Sequence, residues 1–82
     1  MRVTVRLFGP QAQLAGRRQL VVELGGDAPT AGEVRAELAS VEPRLAPSLP
    51  HSRLAINQRF ASDAQRVSAE DELALIGMLG GG

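Results

Sequence analysis

The sequence predicts a small α+β domain in which a mixed four- to five-stranded sheet packs on one main helix. Three observations support this fold class: strand-like alternation of apolar and polar residues at both ends of the chain, a second alternating segment soon after the first, and one amphipathic helical segment between them. With 82 residues, the chain has the length of a single domain with an adequate but small core.

The N-terminal segment predicts two neighbouring strands. In "MRVTVRLF", Val3, Val5 and Leu7 lie on one face of a strand, and the polar residues lie on the other. The segment "QLVVEL" alternates in the same way. We expect these strands to form an antiparallel hairpin. The intervening "GPQAQLAGRR" is expected to be an irregular connection, because two glycines and a proline interrupt it.

The segment "TAGE" predicts the start of the main helix. Thr30 and Glu33 have the spacing of a capping box, in which each side chain accepts a hydrogen bond from the other residue's backbone N–H. Val34, Leu38 and Val41 then recur at helical spacing and form one apolar stripe. The proline that follows this stripe is expected to end the helix.

The C-terminal half predicts an irregular segment and then further strands. "RLAPSLP" is expected to be irregular, with Leu45 and Leu49 against the core. The segment "RLAIN" predicts a strand, and "QRFASDAQRVSAED" predicts turns and one short edge strand. The segment "ELALI" predicts the last strand, with Leu73 and Leu75 inward. If the first and last strands pair in parallel at the centre, the fold is a ubiquitin-like β-grasp.

Composition excludes several classes of site. Nine arginines balance nine acidic residues, and the two phenylalanines form no base-stacking platform, so no nucleic-acid partner is expected. The absence of cysteine excludes disulfides, thiolate metal sites and a cysteine nucleophile. His51 lies among turn residues and is interpreted as a solvated loop histidine, so no metal site is predicted. Neither a signal peptide nor a membrane-spanning run is recognised, and we expect a cytoplasmic protein without membrane contact.

Three apolar residues do not fit the predicted core. Phe8 falls on the polar side of the first strand, Ile76 falls on the outward side of the last strand, and Phe60 lies beside the "NQR" turn. If the two end strands are neighbours, these residues can form one exposed apolar patch, which is typical of a partner-binding surface. The alternative is that they fold back under a loop.

The chain ends in "LALIGMLGGG", which raises the question of whether this ending has a function. We predict a β-grasp domain over residues 1–76 and a flexible C-terminal tail over residues 77–82 that ends in Gly-Gly. Met78 and Leu79 are apolar and lie beyond the last strand, so we expect them to anchor the tail in a partner's groove. The alternative is a frayed terminus without a function.

The glycines of the tail predict acyl chemistry at its end. Gly80, Gly81 and Gly82 have no side chains and can pass extended through a channel that a Cβ atom would block. A carboxylate is a poor electrophile, because attack places negative charge on a group that is already anionic. Adenylation with ATP supplies a leaving group, and a separate enzyme must perform it because the chain has no residues for ATP binding. Without cysteine, the chain can carry sulfur only as a thiocarboxylate on Gly82.

The chain resembles the small subunits of molybdopterin synthase (MoaD), within the wider group of ubiquitin-like sulfur carriers. The resemblance covers essentially the whole chain and is carried by "VRLFGPQAQLAG", "LAINQRF", "EDELALI" and the terminal Gly81-Gly82. It implies a non-catalytic subunit that binds no cofactor. An E1-like enzyme would adenylate Gly82, a sulfur donor system would form the thiocarboxylate, and the tail would enter the large synthase subunit for molybdenum cofactor biosynthesis. The family's partner-facing positions align with Phe8, Phe60 and Ile76.

The tail departs from the pattern of this family, which commonly has two prolines after the last strand. Gly77-Met78-Leu79-Gly80 stands in their place, which leaves the final sulfur acceptor open. Carriers for thiamine, cysteine or tRNA thiolation stay as alternatives, although the length of residues 43–52 argues against thiamine. Two further alternatives stay open. One is a ubiquitin-like modifier, whose lysine-free chain could not be extended through its own side chains, and the other is a binding module that never activates its tail.

Overall fold

The computed structural model describes residues 1–78, which form a five-stranded mixed sheet with helices packed on one face. Along the chain the elements are β1 (Arg2–Leu7), α1 (Gly9–Ala15), β2 (Gln19–Glu23), α2 (Ala31–Val41), a 3₁₀ helix (Pro43–His51), β3 (Ser52–Ile56), β4 (Arg59–Phe60) and β5 (Leu73–Gly77). None of the helices within residues 1–78 has the length and apolarity that a membrane crossing requires.

The strand order is β2-β1-β5-β3-β4. β1 and β5 pair in parallel at the centre of the sheet, and the β1–β2, β3–β5 and β3–β4 pairs are antiparallel. The predicted β-grasp arrangement, with the first and last strands as parallel neighbours, is therefore confirmed. The short edge strand expected after "RLAIN" is β4.

The hydrophobic core lies on one face of this sheet. Val5 of β1 and Leu75 of β5 are fully buried there, in one cluster with Val34 and Leu38 of α2. Leu45 of the 3₁₀ helix is also fully buried and extends the cluster. Burial of each such side chain stabilises the fold by about 1.5–3 kcal/mol, and the burial of one face of the sheet specifies the register of its strands.

The structure corrects the prediction for "GPQAQLAGRR", which is not irregular but contains α1. Pro10 lies in the first turn of this helix, where its missing N–H removes no intrahelical hydrogen bond. Gly16 caps the other end with a left-handed φ of 66°, which glycine adopts without steric cost. The proline and the glycine that were expected to interrupt this segment therefore mark the two ends of a seven-residue helix.

Two other details of the helical regions differ from the prediction. Val41, the third member of the predicted apolar stripe, is 42% exposed, because α2 ends there and Leu45 continues the core instead. The segment "RLAPSLP", which was expected to be irregular, forms most of the 3₁₀ helix. Leu49 of this helix is partly buried against the core, as expected.

The capping box at the start of α2 is present as predicted. The backbone N–H of Glu33 donates to Thr30 Oγ1 at 3.1 Å, and the backbone N–H of Thr30 donates to Glu33 Oε1 at 2.9 Å. These bonds satisfy N–H groups that have no partner inside the helix and fix where α2 begins.

Replacing Thr30 with Ala is expected to lower the free energy of unfolding by about 1 kcal/mol, because it removes the cap from the backbone N–H of Glu33. Urea denaturation followed by circular dichroism measures this loss. Ser40→Ala, at an exposed position inside α2, is the matched control and is expected to change stability by less than about 0.5 kcal/mol. Equal stability losses in the two variants would contradict a capping role for Thr30.

Candidate functional site

The open face of the sheet carries an apolar depression of about 420 Å³ near the end of β5. Ala55 and Ala74 face each other across β3 and β5 and line it with small side chains. Phe60, which pairs with Ala55 from β4, lines it as well, together with Phe8 and Ile76. The three apolar residues left outside the predicted core are thus brought to one surface.

This surface is open to solvent. Phe8 and Phe60 are each 50% exposed, and Ile76 is half-buried. The two phenylalanines therefore do not fold back under a loop, which was the alternative arrangement. Their role in binding a partner stays a prediction.

Charged side chains surround the depression. The Arg53 guanidinium lies over the Phe60 ring, 5.1 Å from its centroid, and this cation–π contact restricts the orientation of the ring. Arg6 and Glu72 also line the depression. An apolar centre with a polar rim is the usual arrangement of a protein–protein interface.

The turn between β3 and β4 is tied to the start of β5. Asn57 and Gln58 have left-handed φ angles of 53° and 69°. The Asn57 side chain accepts from the backbone N–H of Glu72 at 2.9 Å and donates to Asp71 Oδ1 at 2.9 Å. Asp71 Oδ2 accepts from the backbone N–H of Ser68 at 2.8 Å. This network holds in place the turn that leads directly into β4.

A turn at "NQR" was predicted from the sequence, but Asn57 was not identified as the residue that holds it. An asparagine between two short strands is typical of tight turns with positive φ, and that signal could have identified Asn57. The hydrogen bonds to Asp71 lower the pKa of its carboxyl group, first through the backbone N–H of Ser68 and then through the side chain of Asn57.

The end of β5 determines where the chain leaves the sheet. β5 continues through Gly77, which pairs with Ser52, and the backbone N–H of Met78 donates to the carbonyl oxygen of His51 at 2.8 Å. Regular pairing therefore extends past the domain boundary predicted at residue 76. The Met78 side chain is 40% exposed. The other predicted tail residues, Leu79, Gly80, Gly81 and Gly82, lie outside the described residues.

His51 is exposed at the end of the 3₁₀ helix. Within residues 1–78, no group of three or more His, Cys, Asp and Glu side chains is placed to hold a metal ion.

The chain is similar to several characterised proteins. The sequence pattern of the ThiS family matches residues 5–82. The molybdopterin synthase sulfur carrier subunit of Dictyostelium discoideum is 28% identical over 80 residues, which cover 95% of this chain and 93% of that protein. SAMP1 from Haloferax volcanii is 28% identical, with a TM-score of 0.83 over 100% of both chains. A chain in the complex of molybdopterin-converting factor subunits 1 and 2 from Helicobacter pylori is 22% identical, with a TM-score of 0.67 over 100% of both chains.

Replacing Asp71 with Asn is expected to lower the urea midpoint at pH 7, because a neutral amide is a weaker acceptor for the Ser68 N–H. Since folding lowers the pKa of Asp71, its stabilisation is present above the ordinary pKa range of aspartate and is lost as the pH falls through the lowered value. The difference between wild type and Asp71→Asn should therefore narrow as the pH falls from 7 to about 2.

Urea denaturation at a series of pH values measures this difference. Asp27→Asn is the control, since Asp27 is exposed and makes no side-chain hydrogen bond with residues 1–78. A difference between wild type and Asp71→Asn that stays constant across the pH range would show that the Asp71 charge does not hold the turn.

Proposed function

The chain belongs to the ThiS family, and we propose that it works as a ubiquitin-like sulfur carrier that bears sulfur as a thiocarboxylate on Gly82. A separate E1-like enzyme joins the Gly82 carboxylate to the AMP moiety of ATP and releases pyrophosphate. A sulfur donor at the oxidation level of sulfide then attacks the carbonyl carbon. A C–S bond forms, the C–O bond to the phosphate breaks, and AMP leaves.

The observation that carries this proposal is the position of the apolar depression beside the strand that leads into the tail. Ile76 lines the depression, and Met78, two residues later, follows the end of β5. Four further residues allow Gly82 to reach at most about 14 Å from Met78. A partner that docks on Phe8 and Phe60 would need to hold its own active site within this distance to receive Gly82.

The docking partner we propose is the large subunit of a molybdopterin synthase, which would use the sulfur to make molybdopterin. The Dictyostelium relative is named as the sulfur carrier subunit of that enzyme, and the Helicobacter complex contains both subunits of the molybdopterin-converting factor. In this assignment the chain is a co-substrate of the synthase, and the partner supplies the catalytic groups.

A second candidate function is protein modification, because SAMP1 is a small archaeal modifier protein. The same adenylated Gly82 would then form an isopeptide bond with a lysine of a target protein. Since the chain has no lysine, each target lysine would receive one copy that could not be extended through its side chains. Remnants of Gly81-Gly82 on target lysines would distinguish this function from the sulfur carrier.

Incubation of the chain with its E1-like enzyme, ATP and a sulfide donor is expected to raise its mass by the difference between sulfur and oxygen, localised to Gly82. Intact-protein and fragment mass spectrometry measure the change. A variant that lacks Gly81 and Gly82 is the control and should not be charged. If the wild-type chain gains no mass with active enzyme and ATP, the carrier function is wrong.

Phe60→Ala is expected to weaken binding to the large synthase subunit about tenfold or more, because it removes an exposed aromatic side chain from the depression. Isothermal titration calorimetry measures the affinity. Val41→Ala is the matched control, since Val41 is similarly exposed but lies at the end of α2. The open face of the sheet is not the docking surface if both variants bind like wild type.

A further inference from the structure

A buried amide lies against the last residue of β5. The Gln11 side chain comes from α1, and only 6% of the residue is exposed. A Cβ atom at residue 77 would lie 2.6 Å from Gln11 Nε2 and 3.0 Å from Gln11 Oε1, closer than van der Waals contact allows. The φ of Gly77 lies outside the left-handed region, so space rather than backbone conformation requires glycine here.

Hydrogen bonds hold this amide in place. Gln11 Nε2 donates to Ser52 Oγ at 3.1 Å, and Ser52 Oγ donates to the carbonyl oxygen of Ser48 at 2.7 Å. Ser52 is 2% exposed and is the residue that pairs with Gly77 across β3 and β5. The end of a glutamine side chain would otherwise give way easily, but here its displacement breaks a buried hydrogen bond.

Gly77 is therefore restrained on two sides immediately before the chain leaves the sheet. Its backbone pairs with Ser52, the Gln11 amide fills the space next to its Cα, and Met78 follows with its hydrogen bond to His51. We infer that Gln11 is a positioning residue that sets the direction in which the tail leaves β5. Its effect on activation rests on the proposed carrier function.

The contact between Gln11 and Gly77 can be tested from both sides. Gly77→Ala forces the amide away from Ser52, and Gln11→Ala leaves a void beside Gly77. In the double variant Gln11→Ala/Gly77→Ala, the added methyl group occupies space that the amide has left. We therefore expect each single variant to loosen the end of β5 and the double variant to restore it in part.

Hydrogen exchange of the Met78 amide in the isolated chain measures this loosening, because that N–H is bonded to His51. The exchange rate should rise about tenfold in each single variant and fall back to within about threefold of wild type in the double variant. Two results would overturn the inference. One is a Met78 exchange rate in Gln11→Ala that equals the wild-type rate. The other is a rise in exchange rate in the double variant that equals the product of the rises in the two single variants.

Steady-state kinetics with the E1-like enzyme provide the second measurement. Each single variant should lower kcat about tenfold with KM for the chain within about threefold of wild type, because neither substitution removes an exposed side chain that the enzyme could bind. Val34→Ala, a core substitution in α2 far along the chain from both residues, controls for lost stability and should keep the wild-type kcat and Met78 exchange. Single variants with wild-type kcat would show that Gln11 does not position the tail for activation.

The two measurements separate two kinds of failure. If the enzyme does not activate the wild-type chain, the proposed carrier function is wrong, and the exchange rates still decide whether Gln11 positions the end of β5. If the enzyme activates wild type but the variants show no coupling in either measurement, only the inference about Gln11 is wrong.

Discussion

The parallel pairing of β1 with β5 is the constraint on which both the core and the candidate site depend. Its register places Val5 beside Leu73 and Leu7 beside Leu75, so the inward residues of the central strands meet on the buried face. Because parallel strands end at the same edge of a sheet, Phe8 and Ile76 line the same depression there. A slip of one residue would turn the core residues outward and separate this pair.

In the proposed carrier, docking and chemistry are assigned to different parts of the chain. Docking would use the open face, where Ala55 and Ala74 leave room between larger apolar side chains. The chemistry would take place at Gly82, whose reach is limited by the few residues after β5. Arg6 and Glu72 both border the depression, so apolar contact and shape, rather than one sign of charge, would select the partner.

Much of this architecture could be predicted from local patterns. Period-two alternation identified the inward faces of β1 and β5, and the Thr30 capping box located the start of α2. The outward positions of Phe8 and Ile76 followed from the same alternation. α1 was missed because a proline and a glycine at helix ends look like breakers when the ends are unknown. The contact of Gln11 with Gly77 joins residues far apart in sequence, and periodicity carries no information about it.

The end of β5 shows how a tertiary contact can supply stiffness that the local sequence lacks. A proline after the last strand would restrict φ by its own ring, whereas Gly77 has the greatest backbone freedom of any residue. Here the ladder to Ser52 and the buried Gln11 amide restrict Gly77 instead. A proline would keep its restraint on φ in any state of the chain. The restraint on Gly77, in contrast, exists only while α1 and β3 are packed against β5. If Gln11 sets the direction of the tail as we infer, that direction depends on the packing of α1 and β3 against β5, and the carrier requires an intact domain.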